Sequence, residues 1–384
     1  MNFLVSDEHA LLRSTVAEIA SKYGHRYYTD RARGGLKVDE LWDELAQAGF
    51  VGVNIAEQYG GGGLGITELA MVCEELGAAG CPLLVLVVSP AICGSVIQRF
   101  GSEAQKEHWL PGIASGKTKM AFAITEPDAG SNSHNLTTRA RRDGNGYWLS
   151  GTKHYISAAD EADQILVVTR SSSSEATGRG DLSLFIVDAN TEGLDKSLIP
   201  VEIVSPEKQY TLFFDDVFVP ADRLVGSEGD GLRQVFAGLN PERITGAAIG
   251  IGIGRYALER AVDYARQRSV WGAPIGSHQG IAHPLAEAKI ELELAGLMTY
   301  KAAWLYDEEL DAAEAANIAK YSAAEAAIHA LDQAIQTHGG HGLSTEYGLA
   351  DLWGGVRLLR TAPISREMIL NFVAQHSLGL PKSY

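Results

Sequence analysis

The hydrophobic period changes twice along this 384-residue chain, and that change limits the possible folds more than any other feature. In the first third, apolar residues fall three and four apart. Leu11, Leu12, Val16, Ile19 and Ala20 follow Ser6-Asp7-Glu8, which predicts a capped amphipathic helix. The glycine run at 59–65 interrupts this spacing, and 66–76 resumes it. From Met120 to about Val225 the texture is β-branched and aromatic. MAFAIT, YWLSG, QILVVT, LSLFIVDA and YTLFFDDVFVP are separated by polar turns such as Asp143-Gly144-Asn145-Gly146. The tract 171–181 lies inside this region and reads as a hairpin loop. Helical spacing then returns. Asn240-Pro241 predicts a helix start, because asparagine caps free amides and proline at the first position has no N–H to waste. Helices are expected over 241–268, 279–307 and 311–337, with a last one through Ile369. The expected fold class is α+β: an N-terminal helical domain (1–118), a central β-sandwich or barrel domain (119–228) and a C-terminal four-helix bundle (229–384).

Composition narrows the function. A chain of this length with 46% hydrophobic residues buries a large core, which excludes disorder and disulfide miniproteins. A formal net charge of -16 has the wrong sign for general binding to nucleic acid, although one basic pocket for an anionic cofactor remains compatible with it. Cys73, Cys81 and Cys93 fit neither a zinc site nor a CxxC redox pair, and no metal site is expected. They read as buried thiols in a reducing cytoplasm. The N-terminus carries no signal-peptide pattern, and the longest aliphatic run, 83–88, is far too short to span a bilayer. Neither secretion nor membrane insertion is indicated.

Gly250, Gly252 and Gly254 loosely resemble a dinucleotide fingerprint, but no strand precedes them, so close helix packing is their better explanation. Walker, HExxH and GxSxG patterns do not occur. Four other segments carry more chemistry. Residues 122–132 (FAITEPDAGSN) end a strand in hydroxyls and a tight turn, and 151–157 (GTKHYIS) place Tyr155 and Ser157 at a strand end. Residues 268–279 (RSVWGAPIGSHQ) set a cation and an amide around a bend, and 336–347 (QTHGGHGLSTEY) close a helix with glycines. Taken singly, Arg268 also reads as a charge answering a helix dipole and Tyr155 as a core aromatic. The ordered set favours a shared site.

In that order and over nearly the full length, the chain resembles the acyl-CoA dehydrogenase family. TEPDAGS is similar to the family's TEP-x-AGS, GTKHYIS to GxKxxIT/S, RSVWGAPIGSHQ to R-x-x-FG-x-x-I-x-x-x-Q, QTHGGHG to Q-x-x-GG-x-G and DDVFVP to DxVxVP. The resemblance implies FAD as cofactor. Ile124, Thr125 and Ser131 would meet the isoalloxazine edge and the pyrophosphate, with Ser131 also near substrate. Tyr155 and Ser157 would lie against the ring, the serine hydroxyl near N5. Arg268, Trp271, Gln279, Gln336, Gly339 and Gly340 would reach the adenine-diphosphate half of a neighbouring subunit's FAD, which implies a homo-oligomer, a tetramer or a dimer.

Most of the family carries its catalytic glutamate in a YEG-type motif near the C-terminus, where this chain has Pro363. A minority carries it one bundle helix earlier in L-x-x-E-R, which resembles Leu239-Asn240-Pro241-Glu242-Arg243 here. Glu242 is therefore the candidate base for the substrate's α-proton, with Arg243 beside it for the site or the CoA moiety. In the first turn of a helix starting at Pro241, the dipole would hold Glu242 acidic, against the requirement for a base. Pro363 also has no N–H to polarise the thioester oxygen, so either Ile364 donates instead or the reaction differs. Ser365 matches a family threonine near the flavin, and Glu367 reads as a solvated helix residue. The resemblance thus implies α,β-dehydrogenation of an acyl-CoA, with electrons passed to an electron-transfer flavoprotein. The alternatives are an oxidase- or monooxygenase-like relative and a non-catalytic subunit of a hetero-oligomer.

Overall fold

The computed structural model describes residues 6–171 and 181–382. The N-terminal part is helical: α1 (Asp7–Arg33), α2 (Asp39–Gln47), α3 (Ile66–Ala78) and α4 (Leu84–Leu86), which runs through a π-helical stretch (Val87–Gly94) into α5 (Ser95–Phe100), then α6 (Glu103–Ala114). Ser6 starts α1 as expected, its hydroxyl accepting from the His9 N–H at 3.1 Å. The amides that open α3 are capped from far along the chain. Asp307 accepts from Ile66 N at 2.8 Å and Thr67 N at 2.9 Å. Gly65 is required there, since a Cβ would lie 2.5 Å from the Asp307 carboxyl.

The central region contributes β1 (Met120–Ala123), β2 (Arg139–Asp143), β3 (Gly146–Ser157), β4 (Gln164–Arg170), β5 (Leu182–Asp188), β6 (Leu194–Ile199), β7 (Gln209–Pro220) and β8 (Leu224–Val225). They form one eight-stranded sheet in the order β6-β7-β3-β2-β4-β5-β8, with β1 parallel to β4. The end strands β6 and β8 do not pair with each other, so the sheet folds over without closing into a barrel. Its inner face packs Leu149, Ile165, Phe185, Leu212 and Phe214 together, while Leu166, Val168 and Leu184 face helical residues such as Ile92 and Val96. β4 and β5 pair antiparallel, as a hairpin requires; the connecting residues 172–180, read from sequence as its loop, lie outside the described residues.

The C-terminal part comprises α7 (Gly231–Gln267), a small ribbon of β9 (Ser269–Val270) and β10 (Ala273–Pro274), α8 (Gln279–Asp307), α9 (Ala313–His338), α10 (Trp353–Leu358) and α11 (Arg366–Phe372). Three helices are long, and the fourth position is broken into α10 and α11. One apolar core joins α1–α3 to α7–α9. The glycines of α7 serve close packing: a Cβ at Gly252 would lie 2.1 Å from the Glu74 carbonyl of α3, and one at Gly254 would lie 2.5 Å from Leu292 of α8. No helix among the described residues is long and apolar enough to cross a membrane. Cys73, Cys81 and Cys93 are buried and free.

Candidate active site

Glu242 sits well inside α7, not at its start. The helix begins at Gly231, so Pro241 is an interior proline and the expected start at Asn240-Pro241 is wrong. An interior proline leaves the carbonyl four residues earlier without its helical donor. Here the Tyr306 hydroxyl of α8 donates to that carbonyl, Ala237 O, at 2.9 Å, which satisfies it and lets the helix continue. Two consequences follow for Glu242. It lies beyond the reach of the amide dipoles that act within a first turn, and it faces neighbours from several elements.

Those neighbours set its chemistry. Burial pushes the Glu242 carboxyl up to about 7, against the opposing pull of Arg243 and of Lys320 on α9. The side chain keeps part of its surface accessible and, among the described residues, its carboxylate has no hydrogen-bond partner. Arg243 is buried, donates from Nη1 to Asn240 Oδ1 at 2.9 Å, and has an Nε with no partner. Burial and the charge of Arg243 pull Lys320 down to about 8, and its ammonium donates to the Ile364 carbonyl. The Cys93 thiol, on the π-helical stretch, is pushed up by burial and by the nearby Glu242 charge. The result is a carboxyl poised near neutrality, flanked by two cations and open on one side. Such a group can take a proton from a weak carbon acid.

A second buried cluster ties the ends of β1 and β3. Lys153 is fully buried and its Nζ donates to Ile124 O at 3.0 Å and to Glu126 Oε1 at 2.9 Å. Glu126 also accepts from Thr137 N at 2.6 Å, Thr137 Oγ1 at 2.7 Å and Thr138 N at 2.9 Å. Burial alone would raise the Glu126 carboxyl, but the Lys153 charge and these hydrogen bonds outweigh it and hold it at about 2. The His154 N–H donates to Thr125 O at 2.8 Å, so Ile124 and Thr125 are fixed against β3.

Just beyond, the β3–β7 register slips between Lys153 and Ile156, and Tyr155 takes a left-handed φ of 55°. Tyr155 is 56% exposed, which rules out its reading as a core aromatic. The Ser157 hydroxyl donates to Gln209 Oε1 at 3.1 Å, leaving its oxygen able to accept. Ser131 is exposed on the turn that follows Thr125. Ser365 caps α11, accepting from Met368 N at 3.3 Å.

The remaining sequence candidates gather elsewhere. Arg268, Trp271, Gln279, Gln336, Gly339 and Gly340 are all exposed, Trp271 to 91%. Tyr264 near the end of α7 stacks on His338 at the end of α9, with ring centroids 4.3 Å apart, so both helix ends and the start of α8 share one end of the bundle. His341 and Tyr347 pack onto the same pair. From Glu242 to the end of α7 the chain runs about 38 Å at 1.5 Å per residue. One chain therefore does not bring its Arg268 group and its Glu242 to the same point.

Glu126, Lys153 and Lys320 went unremarked in sequence. The first two lie inside the quoted motifs TEPDAGS and GTKHYIS, and an acid and a base in two segments expected to converge were the signal. Lys320 sits in an alanine-rich helix with no local signal.

Comparison with known proteins agrees over the whole chain. The acyl-CoA dehydrogenase N-terminal domain family matches residues 6–117, the middle domain 121–217 and the C-terminal domain 229–378. Acyl-CoA dehydrogenase FadE12 of Mycobacterium tuberculosis is 56% identical over 385 aligned positions, covering 100% of this chain and 99% of the relative. A glutaryl-coenzyme A dehydrogenase solved as its glutaryl-CoA complex superposes with a TM-score of 0.95 at 31% identity, covering 100% of this chain and 98% of that one. PigA in complex with FAD superposes with a TM-score of 0.91 at 28% identity, covering 99% and 100%. With three successive domains matched and a relative more than half identical end to end, the chain belongs to the acyl-CoA dehydrogenase family.

Proposed function

We propose that this protein is an FAD-dependent acyl-CoA dehydrogenase in which Glu242 removes the Cα proton of an acyl-CoA thioester. The observation that carries this reading is the Glu242 carboxyl, partly open, without a hydrogen-bond partner and held near 7 by burial. A general base works best when its pKa lies near the working pH. FAD, when bound, would supply the hydride acceptor for Cβ, so that loss of the Cα proton to Glu242 and of the Cβ hydride would give the α,β-unsaturated thioester. Arg243 and Lys320 restrain Glu242 from rising further and stabilise its ionised form.

The residues at the β1 and β3 ends fit the ring end of FAD. They offer the Thr125 and Ser157 hydroxyls, an exposed Tyr155 face and the exposed Ser131 turn on a frame locked by Glu126 and Lys153. Ser365 caps α11 and directly follows Ile364, whose carbonyl accepts from Lys320. Arg268, Trp271, Gln279, Gln336, Gly339 and Gly340 would hold the adenine-diphosphate half of a second copy's FAD, which their distance from Glu242 supports. A homo-oligomer, dimer or tetramer, is the consequence. An electron-transfer flavoprotein would receive the electrons, and the buried unpaired cysteines favour a reducing cytoplasm.

Anaerobic mixing of the FAD-loaded protein with acyl-CoA esters tests the reading: flavin absorbance bleaches in the wild type and stays unchanged in Glu242→Gln. Undiminished bleaching in that variant would remove Glu242 from the mechanism. Pro363 lacks the N–H that would polarise a thioester oxygen, so either Ile364 donates instead or the reaction differs, and the alternative on the same fold is an oxidase- or monooxygenase-like relative. Peroxide formation without an external acceptor separates the two.

A further inference from the structure

Gly238, Glu242, Gly246 and Gly250 are spaced four apart and form one row on α7. What stands over each differs. A Cβ at Gly238 would meet Ile92 Cγ2 at 2.9 Å and Val96 Cγ2 at 3.0 Å, so the row is sealed one turn before the base. A Cβ at Gly250 would meet Leu359 Cδ1 at 3.0 Å, so it is sealed again two turns after. Between them Gly246 is buried, yet nothing lies within 4 Å of where its Cβ would be. Among the described residues it is the one buried glycine with that property. Helical Cβ vectors tilt toward the N-terminus, so this space opens back toward Glu242.

We propose that the gap over Gly246, closed at one end by Glu242 and at the other by Leu359, is the acyl subsite, and that Gly246 makes it selective for short acyl groups, methyl-branched ones included. The proposal rests on the acyl-CoA dehydrogenase reading of Glu242. Two helical turns, about 12 Å, separate the Glu242 and Gly250 backbones, and the glutamate side chain and Leu359 occupy part of that length. A long straight chain following this row would meet Leu359 over Gly250. The missing side chain at Gly246 adds width, which a branch uses and a straight chain does not. Close packing leaves few such voids in a protein interior unless something fills them.

The test is anaerobic flavin bleaching by butyryl-, isobutyryl-, isovaleryl-, octanoyl- and palmitoyl-CoA, measured for wild type, Gly246→Val, Gly246→Ala and Leu359→Ala. The wild type should favour the short and branched esters. Gly246→Val should lower kcat/KM for the branched esters by about tenfold or more, the scale of one or two methylenes in an apolar pocket. Butyryl-CoA should lose less, and Leu359→Ala should gain on octanoyl-CoA. Where Gly246→Val fails to retain FAD, Gly246→Ala and Leu359→Ala carry the same comparison. A wild type that prefers palmitoyl-CoA, or variants whose ranking of esters is unchanged, would overturn the subsite while leaving the dehydrogenase reading intact. A wild type bleached by no ester would instead overturn the dehydrogenase reading, and the subsite with it.

Discussion

Glu126 and Glu242 are both drawn into the protein beside a lysine, yet one carboxyl is held at about 2 and the other at about 7. Burial raises both. The difference lies in what touches the oxygens: Glu126 accepts from Lys153, from the Thr137 amide and hydroxyl, and from the Thr138 amide, whereas Glu242 feels Arg243 and Lys320 only as charges. Hydrogen bonds to the ionised form need contact, and several of them overcome desolvation where through-space attraction alone does not. A carboxylate with every lone pair engaged is a strut. A carboxylate left without donors is available to take a proton. The same residue type thus frames the site in one region and, in the mechanism proposed above, performs its chemistry in the other.

The largest break in that contrast comes from deleting the free carboxyl. Glu242→Gln keeps size and burial, so FAD content should be unchanged, while the rate of flavin reduction by acyl-CoA should fall by about 10²–10⁴-fold, the usual contribution of a general base. Stopped-flow absorbance reads it. Next in size is the strut: Lys153→Met leaves Glu126 buried without its counter-charge and should cost about 3–5 kcal/mol in denaturant unfolding. The double variant Glu126→Gln with Lys153→Met should recover part of that loss, because neither charge is then left alone. Equal stability of wild type and Lys153→Met would show that the pair does not lock β1 to β3.

How far the sequence reached follows from where each signal resides. The bounds of α8, Gln279–Asp307, came out as expected because an apolar period runs its whole length. α7 did not, because Asn240-Pro241 imitates a helix start. What rescues the interior proline is Tyr306, a partner far along the chain that no local pattern reveals. β2 (RARRD) and β6 (LDKSLI) went unread because charged, half-exposed strands lack the apolar alternation that marks their neighbours. Glu242 was legible only through family resemblance. Its raised pKa was not, since local reasoning placed it in a first turn and predicted the opposite direction.

Opposite shifts give opposite pH dependences of stability. Glu242 folds with a pKa of about 7 against an ordinary 4.5, so the folded state holds the extra proton between those values; its contribution is present below 4.5 and lost as pH rises through about 7. Glu126 behaves in reverse, contributing above 4.5 and losing that contribution as pH falls through about 2. Melting temperatures of wild type and Glu242→Gln, taken at about pH 5 and about pH 8, should therefore move in the variant's favour at the higher pH. The catalytic counterpart is a rate of flavin reduction that rises with pH through about 7, and Lys320→Met should move that inflection upward by removing a charge that favours the ionised form. An inflection left unmoved would mean that Lys320 serves only to hold the Ile364 carbonyl.

The smallest effect belongs to the helix that presents the base. Tyr306→Phe removes the hydroxyl that serves the Ala237 carbonyl, at a cost of about 1 kcal/mol in unfolding free energy. The phenyl ring still fills its place, so packing is preserved and the loss reports what the hydroxyl contributes, its contacts with Ser95 and Arg99 included. If Tyr306 also keeps α7 straight enough to aim Glu242, the variant should lose flavin-reduction rate while the pH inflection stays near 7, because the surroundings that raise the carboxyl are untouched. If the inflection drops instead, the helix has shifted Glu242 toward water, and the line between strut and base depends on that one distant hydroxyl.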